Sequence, residues 1–183
     1  MKTVYVFLAD GFEEIEAITP IDFLRRAGIE VVTVGVTGKT VTGAHNIPVV
    51  ADISGEGFVL PPTAAMVLLP GGGPGTENLK KSPMVAQMLQ AASGGKSYIT
   101  AICAAPTVLY GQGLLEGKTV TAFPSVQKEL RQSRVTGRAV EVDGNIVTAR
   151  SAGVALQFAH TLASLLAGPE KADEVLHSLY PGA

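Results

Sequence analysis

The chain has 183 residues, with 14 Lys and Arg against 16 Asp and Glu for a net charge of −2. That length fits one domain spanning residues 1–183, and a hydrophobic share of 46% excludes a disordered chain. The weakly acidic balance lacks the basic excess that phosphate neutralisation requires, so nucleic acid is not expected as a main partner. A single Cys excludes an internal disulfide and a multi-Cys metal centre, and the absence of Trp with only 5% aromatics leaves few stacking surfaces for bases or sugars.

Residues 3–8 (TVYVFL) form a short apolar, β-rich run that ends at Asp10-Gly11, which predicts a buried strand. The run is too short, and too soon followed by Asp10, Glu13, Glu14 and Glu16, for a signal peptide or a membrane span. With a lone thiol, this points to a reducing, cytoplasmic setting. Residues 13–27 carry a helical pattern through Ile15, Ile18, Ile21 and Leu24, closed by Arg25-Arg26 and Gly28, with Pro20 expected to kink it. Residues 30–36 read as a second strand, and the β-α-β order implies a parallel pair. Residues 39–60 read as short strands or hairpin pieces.

A buried strand at 64–69 (AAMVLL) runs into PGGGPG at 70–75, and a helix is expected at 83–93. A strand at 97–102 ends at Cys103, and AAPTVLYGQG then reads as a helix. A strand is expected at 118–123, and a hairpin at 138–149 turning on Asp143-Gly144. A strongly helical stretch covers 152–167 up to Gly168-Pro169, and a short helix about 170–179 closes the chain. The whole reads as a three-layer α/β sandwich with a mostly parallel central sheet, where ligands bind beyond the carboxyl ends of the strands.

Three strand ends therefore draw the search for chemistry. A lone Cys is most often a small buried hydrophobe. Cys103, however, stands at a strand-to-helix turn before small Ala104 and Ala105, the setting of a nucleophile elbow. The N–H groups and dipole of the following helix would favour a thiolate, and Pro106 suits its first turn. PGGG by default is a tight turn, and it is neither a dinucleotide fingerprint nor a P-loop. Functionally, an N–H of Gly72 or Gly73 could join that of Ala104 in an oxyanion hole.

Glu13 and Glu14 fit an acidic first helical turn. Glu16 lies between Ile15 and Ala17. Facing the sheet end, it would be buried with a raised pKa, able to donate a hydrogen bond to a thiolate or to shuttle a proton. Of the three His residues, His45 sits in an irregular segment where it could line a pocket. His160 reads as a surface or packing residue, and His177 as a cation in a last helical turn. None adjoins Cys103, and no clustered zinc ligands are visible.

Taken together, ADGFEEIEA (9–17), DFLRRAGIEV (22–31), LPGGGPG (69–75), TAICAAP (100–106) and GNIVTARSAGVALQFA (144–159) resemble the ThiJ/PfpI superfamily, and within it the DJ-one branch. The resemblance covers essentially the whole chain. It implies a flavodoxin-like α/β sandwich and a homodimer. It matches Cys103 to a reactive cysteine, Glu16 to the carboxylic acid that hydrogen-bonds it, and Gly72, flanked by Gly71 and Gly73, to an oxyanion-hole glycine. Arg150 matches an arginine near the site at the dimer interface. Members are described as glutathione-independent glyoxalases, protein deglycases, redox-responsive chaperones or proteases.

Three departures narrow this. Ala104 stands where the protease branch carries His, which argues against proteolysis. AFP at 122–124 replaces Thr-His-Pro of animal members, leaving Phe123 at that place, and SAGV at 151–154 replaces GPGT. The expectation is a cysteine-dependent enzyme acting on methylglyoxal or glyoxal and their adducts, without metal or organic cofactor. The alternatives are a redox sensor or chaperone using the same cysteine and, behind them, a PfpI-type protease or a binding module with an inert thiol.

Overall fold

The computed structural model describes residues 2–180. Strand β1 (Thr3–Leu8) leads through a short loop into helix α1 (Glu14–Arg26), and β2 (Glu30–Gly35) returns parallel to β1. The expected hairpin pieces resolve into an antiparallel pair, β3 (Thr40–Thr42) and β4 (Pro48–Val50), while β5 (Ile53–Ser54) extends the main sheet beside β2. Next come β6 (Ala64–Leu69), α2 (Gly73–Lys81), α3 (Pro83–Ser93), β7 (Tyr98–Ile102) and α4 (Pro106–Gly111). The remainder comprises β8 (Thr119–Val120), a 3₁₀ turn at Pro124–Glu129, β9 (Arg134–Val135), β10 (Val140–Asp143), β11 (Ile146–Ala149), a second 3₁₀ turn at Ala152–Val154, α5 (Ala155–Ala167) and α6 (Pro169–Ser178).

The main sheet has the order β10-β11-β7-β6-β1-β2-β5, and every neighbouring pair is parallel except β10 with β11. From β1 the chain first moves to one side, through β2 and β5, and then crosses back to place β6 on the other side. The crevice between β1 and β6 is therefore a topological switch point, where open α/β sheets form their ligand sites.

Side chains alternate across this sheet, as strand geometry demands. Val4, Val6 and Leu8 enter one core with Phe23 and Leu24 of α1 and Phe158 and Leu162 of α5. Tyr5 and Phe7 enter the other with Leu79, Leu89 and Leu109 of α2, α3 and α4. Both faces are covered, so the parallel strands read as continuous apolar runs. This is the flavodoxin-like three-layer arrangement expected from the sequence. Among the described residues no helix is long and apolar enough to cross a membrane.

Several expectations are corrected. Helix α2, from Gly73 to Lys81, was not expected between the glycine run at 70–75 and the helix at 83–93; Pro74 at its start suits a first helical turn, so the last glycines of the run open the helix. The strand expected at 118–123 shortens to Thr119–Val120, which pairs with β9 away from the main sheet. Helix α1 runs unbroken through buried Pro20, whose missing N–H merely leaves the carbonyl of Glu16 without its helical partner. The helix after Cys103 has only six residues and begins at Pro106.

Phe23 and Phe158 are 1% and 0% exposed and belong to one core between α1 and α5. Because this interface fixes α1, and α1 carries Glu16, Phe23→Ala is expected to cost about 3–5 kcal/mol of stability, read as a lowered midpoint in urea unfolding.

Candidate active site

Five strand-end segments converge at the switch point. The cleft they form has a volume of about 570 Å³ and is lined by residues that include Glu13, Glu16, Gly72, Gly73, Cys103, Ala104, Phe123 and Ser151. A larger surface cleft of about 670 Å³ opens elsewhere, around Lys2, Arg25, Gly28 and Glu30, but Cys103 and the other sequence candidates Glu16, Gly72 and Phe123 line the smaller one.

Cys103 follows β7 directly and adopts φ 66°, one of two left-handed non-glycine residues among those described. Such a conformation is disfavoured for an L side chain. It is held by two bonds: the Cys103 N–H donates to the Ala149 carbonyl at 2.9 Å, and the Phe123 N–H donates to the Cys103 carbonyl at 2.8 Å. The elbow thus ties the end of β7 to the end of β11 and to the segment carrying Phe123, and it leaves the thiol half-buried in the cleft. The N–H groups of Gly72 and Ala104 lie near enough to the sulfur to favour its anion.

Gly72 reaches its position by adopting φ 91°; a Cβ there would stand 2.3 Å from the Gly11 carbonyl oxygen, so no other residue fits without moving the backbone. Gly71 is confined differently. A Cβ on it would lie 2.5 Å from Glu16 Oε2 and 2.7 Å from Cys103 Cβ, so its bareness lets the acid and the thiol share one space.

Glu16, in the first turn of α1, is fully buried. The Gly71 N–H donates to its Oε2 at 2.9 Å. Its Oε1 has no hydrogen-bond partner of ordinary geometry among the described residues, yet the Cys103 thiol is near enough to couple to the carboxyl. Burial raises the Glu16 pKa to about 7, against the opposing pull of Cys103 and the Gly71 N–H.

The thiol departs from expectation. A helix N-terminus was expected to lower it, but with Glu16 ionised the Cys103 pKa is pushed up to about 12, first by burial and then by the facing carboxylate. Two N–H groups and a six-residue helix do not offset that. The low-pKa thiolate is thus conditional on where one proton sits. When Glu16 holds it, the repelling charge is gone, the carboxyl can donate to sulfur, and the N–H groups of Gly72 and Ala104 favour the anion. Acid and thiol are thus coupled, each shifting the proton affinity of the other.

The remaining sequence candidates divide. Phe123 lines the cleft and is 41% exposed. Arg150 does not line it in this chain; its Nη1 donates to the Gly137 carbonyl at 3.0 Å. His45 sits in an adjoining groove with Glu13, Glu14, Ile15 and Ile47. There its backbone N–H donates to Glu14 Oε1 at 2.7 Å, and its Nδ1 lies 2.8 Å from Glu14 Oε2. That bond raises the His45 pKa. It also holds Glu14 low, although burial by itself would raise it.

No clustered metal ligands were visible in the sequence, yet folding brings ligand atoms of Glu13, Glu14 and His45 within 4.8 Å of one another. The Glu14–His45 pair accounts for that cluster. Glu13, Ser125 and Val126 are cleft residues that sequence reasoning did not select. Glu13 carried a signal, since it lies three positions before Glu16 in the same acidic turn.

A buried acid facing a strained elbow cysteine, at the switch point of a parallel sheet, defines a flavodoxin-like protein with a nucleophile-elbow thiol. The chain belongs to the DJ-1/PfpI family, which it matches over residues 2–165. It is 39% identical over 181 residues to protein dj-1beta of Drosophila melanogaster, covering 97% of this chain and 96% of that protein. The crystal structure of that fly protein superposes with a TM-score of 0.91 at 37% identity, covering 100% of this chain and 99% of the other. The Parkinson disease protein 7 homolog of Danio rerio is 38% identical over 95% of this chain and 94% of its own length. A Caenorhabditis elegans protein named as a glutathione-independent glyoxalase is 32% identical, covering 91% of this chain and 89% of its own.

The coupling has a measurable consequence. Gln at position 16 keeps an N–H donor but carries no charge. Glu16→Gln is therefore expected to move the rise of Cys103 alkylation by iodoacetamide to lower pH, because the carboxylate that helps to push the thiol pKa up is gone. An unchanged pH profile would rule out the coupling.

Proposed function

We propose that this protein is a glutathione-independent glyoxalase in which Cys103 is the nucleophile and Glu16 the proton shuttle. The observation that carries the reading is the coupling of a left-handed, half-exposed Cys103 to a buried Glu16 whose pKa is raised to about 7, near the pH at which it would have to give and take protons. The C. elegans relative named as a glutathione-independent glyoxalase supports it.

The chemistry balances with methylglyoxal and water alone. The Cys103 thiolate attacks the aldehyde carbon, a C–S bond forms, and the carbonyl π pair moves onto oxygen. The N–H groups of Gly72 and Ala104 hold that oxyanion while Glu16 gives it a proton, leaving a hemithioacetal. The Glu16 carboxylate then removes the C–H proton beside sulfur, giving an enediolate, and returns it to the neighbouring carbon while the hydroxyl proton beside sulfur passes to the neighbouring oxygen. The product is a lactyl thioester on Cys103. Water breaks the C–S bond, releasing lactate and restoring the thiol. One carbon is oxidised and its neighbour reduced, so no external oxidant, reductant, metal or organic cofactor is consumed. Free dicarbonyl equilibrates with its adducts on amines and thiols, so its removal drains those adducts, and deglycation follows as a consequence. Proteolysis is not proposed: no His lines the cleft, and Ala104 follows the thiol.

A second reading, as a redox sensor or chaperone, draws on the unpartnered Oε1 of Glu16. Oxidation of Cys103 to a sulfinate by two equivalents of a peroxide, each reduced to water or an alcohol, would bring oxygens into hydrogen-bond reach of a protonated carboxyl. We also propose a cytoplasmic homodimer. The lone thiol fits a reducing compartment. Exposed Ile15 and Ile18 on α1, with Ile47 across the groove from Ile15, offer an apolar face for the second copy.

In thiol-free buffer, the wild type is expected to form lactate from methylglyoxal over many turnovers, and Cys103→Ser to fall to background. Equal turnover by both would overturn the nucleophile assignment. No turnover by either, with stoichiometric sulfinate formation, would select the redox reading. In sedimentation the protein is expected near twice its 18.9 kDa chain mass, and Ile15→Glu with Ile47→Glu is expected to shift it toward monomer.

A further inference from the structure

The cleft above Cys103 carries charge of one sign only. Its lining includes two acids, Glu13 and Glu16, but no Lys, Arg or His among the described residues. The nearby cations are engaged elsewhere: Arg150 reaches the Gly137 carbonyl, and His45 is bonded to Glu14 in the adjoining groove. The rest of the lining is glycine, small hydroxyls and apolar surface from Phe123, Val126, Ala104 and Ala152.

Glu13 is placed to act on whatever enters. Its backbone is pinned where α1 begins, its N–H donating to the Gly71 carbonyl at 3.0 Å and its carbonyl accepting from the Ala17 N–H at 3.1 Å. Its side chain makes no capping bond and is 19% exposed. Nδ1 of His45 lies 3.7 Å from its Oε1, an ion pair when the imidazole is protonated, but that one ring is shared with Glu14 at 2.8 Å, so the two acids together keep a net negative charge. The charge of Glu13 is already felt inside the cleft, where it raises the proton affinity of Glu16. A partly enclosed cleft with low-dielectric walls focuses such a field on the entering molecule.

We infer that Glu13 is a specificity-determining charge filter, so that the cleft admits uncharged carbonyl compounds and rejects anionic ones such as 2-oxo acids and phosphorylated aldehydes. In calling the admitted compounds substrates this rests on the glyoxalase reading; the filter itself does not. Under that reading, the same field that tolerates a neutral dicarbonyl disfavours its carboxylate product, which aids release.

The test uses two alkylating agents of nearly equal size and identical chemistry. With each, the Cys103 sulfur attacks the methylene carbon and iodide leaves. Iodoacetamide is neutral and iodoacetate is an anion, so the ratio of their rates at Cys103 reads the local field, not the fold or the thiol pKa. At low ionic strength the wild-type ratio is expected to exceed that of a small free thiol by about tenfold. It is expected to fall severalfold in Glu13→Gln, and to fall toward the free-thiol value with added salt. A wild-type ratio equal to the free thiol's, or one unchanged in Glu13→Gln, would overturn the filter. Turnover of phenylglyoxal against 4-carboxyphenylglyoxal then separates the two claims. Preference for the neutral compound, relaxed in Glu13→Gln, supports both. If the alkylation ratios hold and neither compound is turned over, the filter stands and the glyoxalase reading falls.

Discussion

The electrostatics of the cleft turn on Glu16 and Cys103, which face each other across a buried space. Neither group is well solvated, and both cannot be charged at once without repelling each other. The pair therefore carries a single negative charge over a wide pH range, and the surrounding backbone influences which atom bears it. The Gly71 N–H favours the carboxylate, while those of Gly72 and Ala104 favour the sulfur anion. As the pair stands the carboxylate form is the favoured one, because the Glu16 pKa is about 7 while that of Cys103 is about 12.

The scaffold supplies that coupling through close approach. Gly71 has no side chain where one would strike both Glu16 and Cys103, and Gly72 bends through a left-handed conformation against the Gly11 carbonyl. The Glu13 N–H bonds the Gly71 carbonyl, so the loop after β1 and the loop after β6 are stitched at the point where the acid leaves α1. Cys103 is fixed from the other side by Ala149 and by the segment of Phe123. The disfavoured backbone at Cys103 is thus over-determined by hydrogen bonds from separate strands, which is how strained site residues persist. The packing of α1 on α5 completes the device, because it sets the helix from which Glu16 projects.

The electrostatic character of the cleft follows from the same economy. Acids at positions 13, 14 and 16 are expected in a first helical turn, but the fold assigns them three different tasks. Glu14 is taken up by His45, Glu16 is buried against the thiol, and Glu13 is left at the mouth. Among the described residues no basic side chain lines the cleft, so backbone N–H groups are what favours negative charge there.

Much of this was legible in the sequence. Apolar β-rich runs at 3–8, 30–36, 64–69 and 97–102 fixed the central strands, because burial on both faces leaves no polar alternation to mistake. Cys103 at a strand end, the glycines after Leu69 and the acid among apolar neighbours at position 16 marked three loops of the site. Less was legible where structure is short or conditional. Helix α2 hid behind its opening glycines, and β8 shrank to two residues because its partner β9 is equally brief. Within the single chain Arg150 and His45 lie outside the cleft lining, bonded to a carbonyl and a carboxylate that sequence alone does not place beside them. The sequence by itself determined the sheet, the order of its loops and the residue types at their ends, since those follow from hydrophobic runs and turn chemistry. Only the tertiary structure decided the charge state of the thiol and the charge of the cleft. Desolvation and Coulomb terms depend on distances between Glu13, Glu16, Gly71 and Cys103, and those residues meet only once β1, β6 and β7 lie side by side.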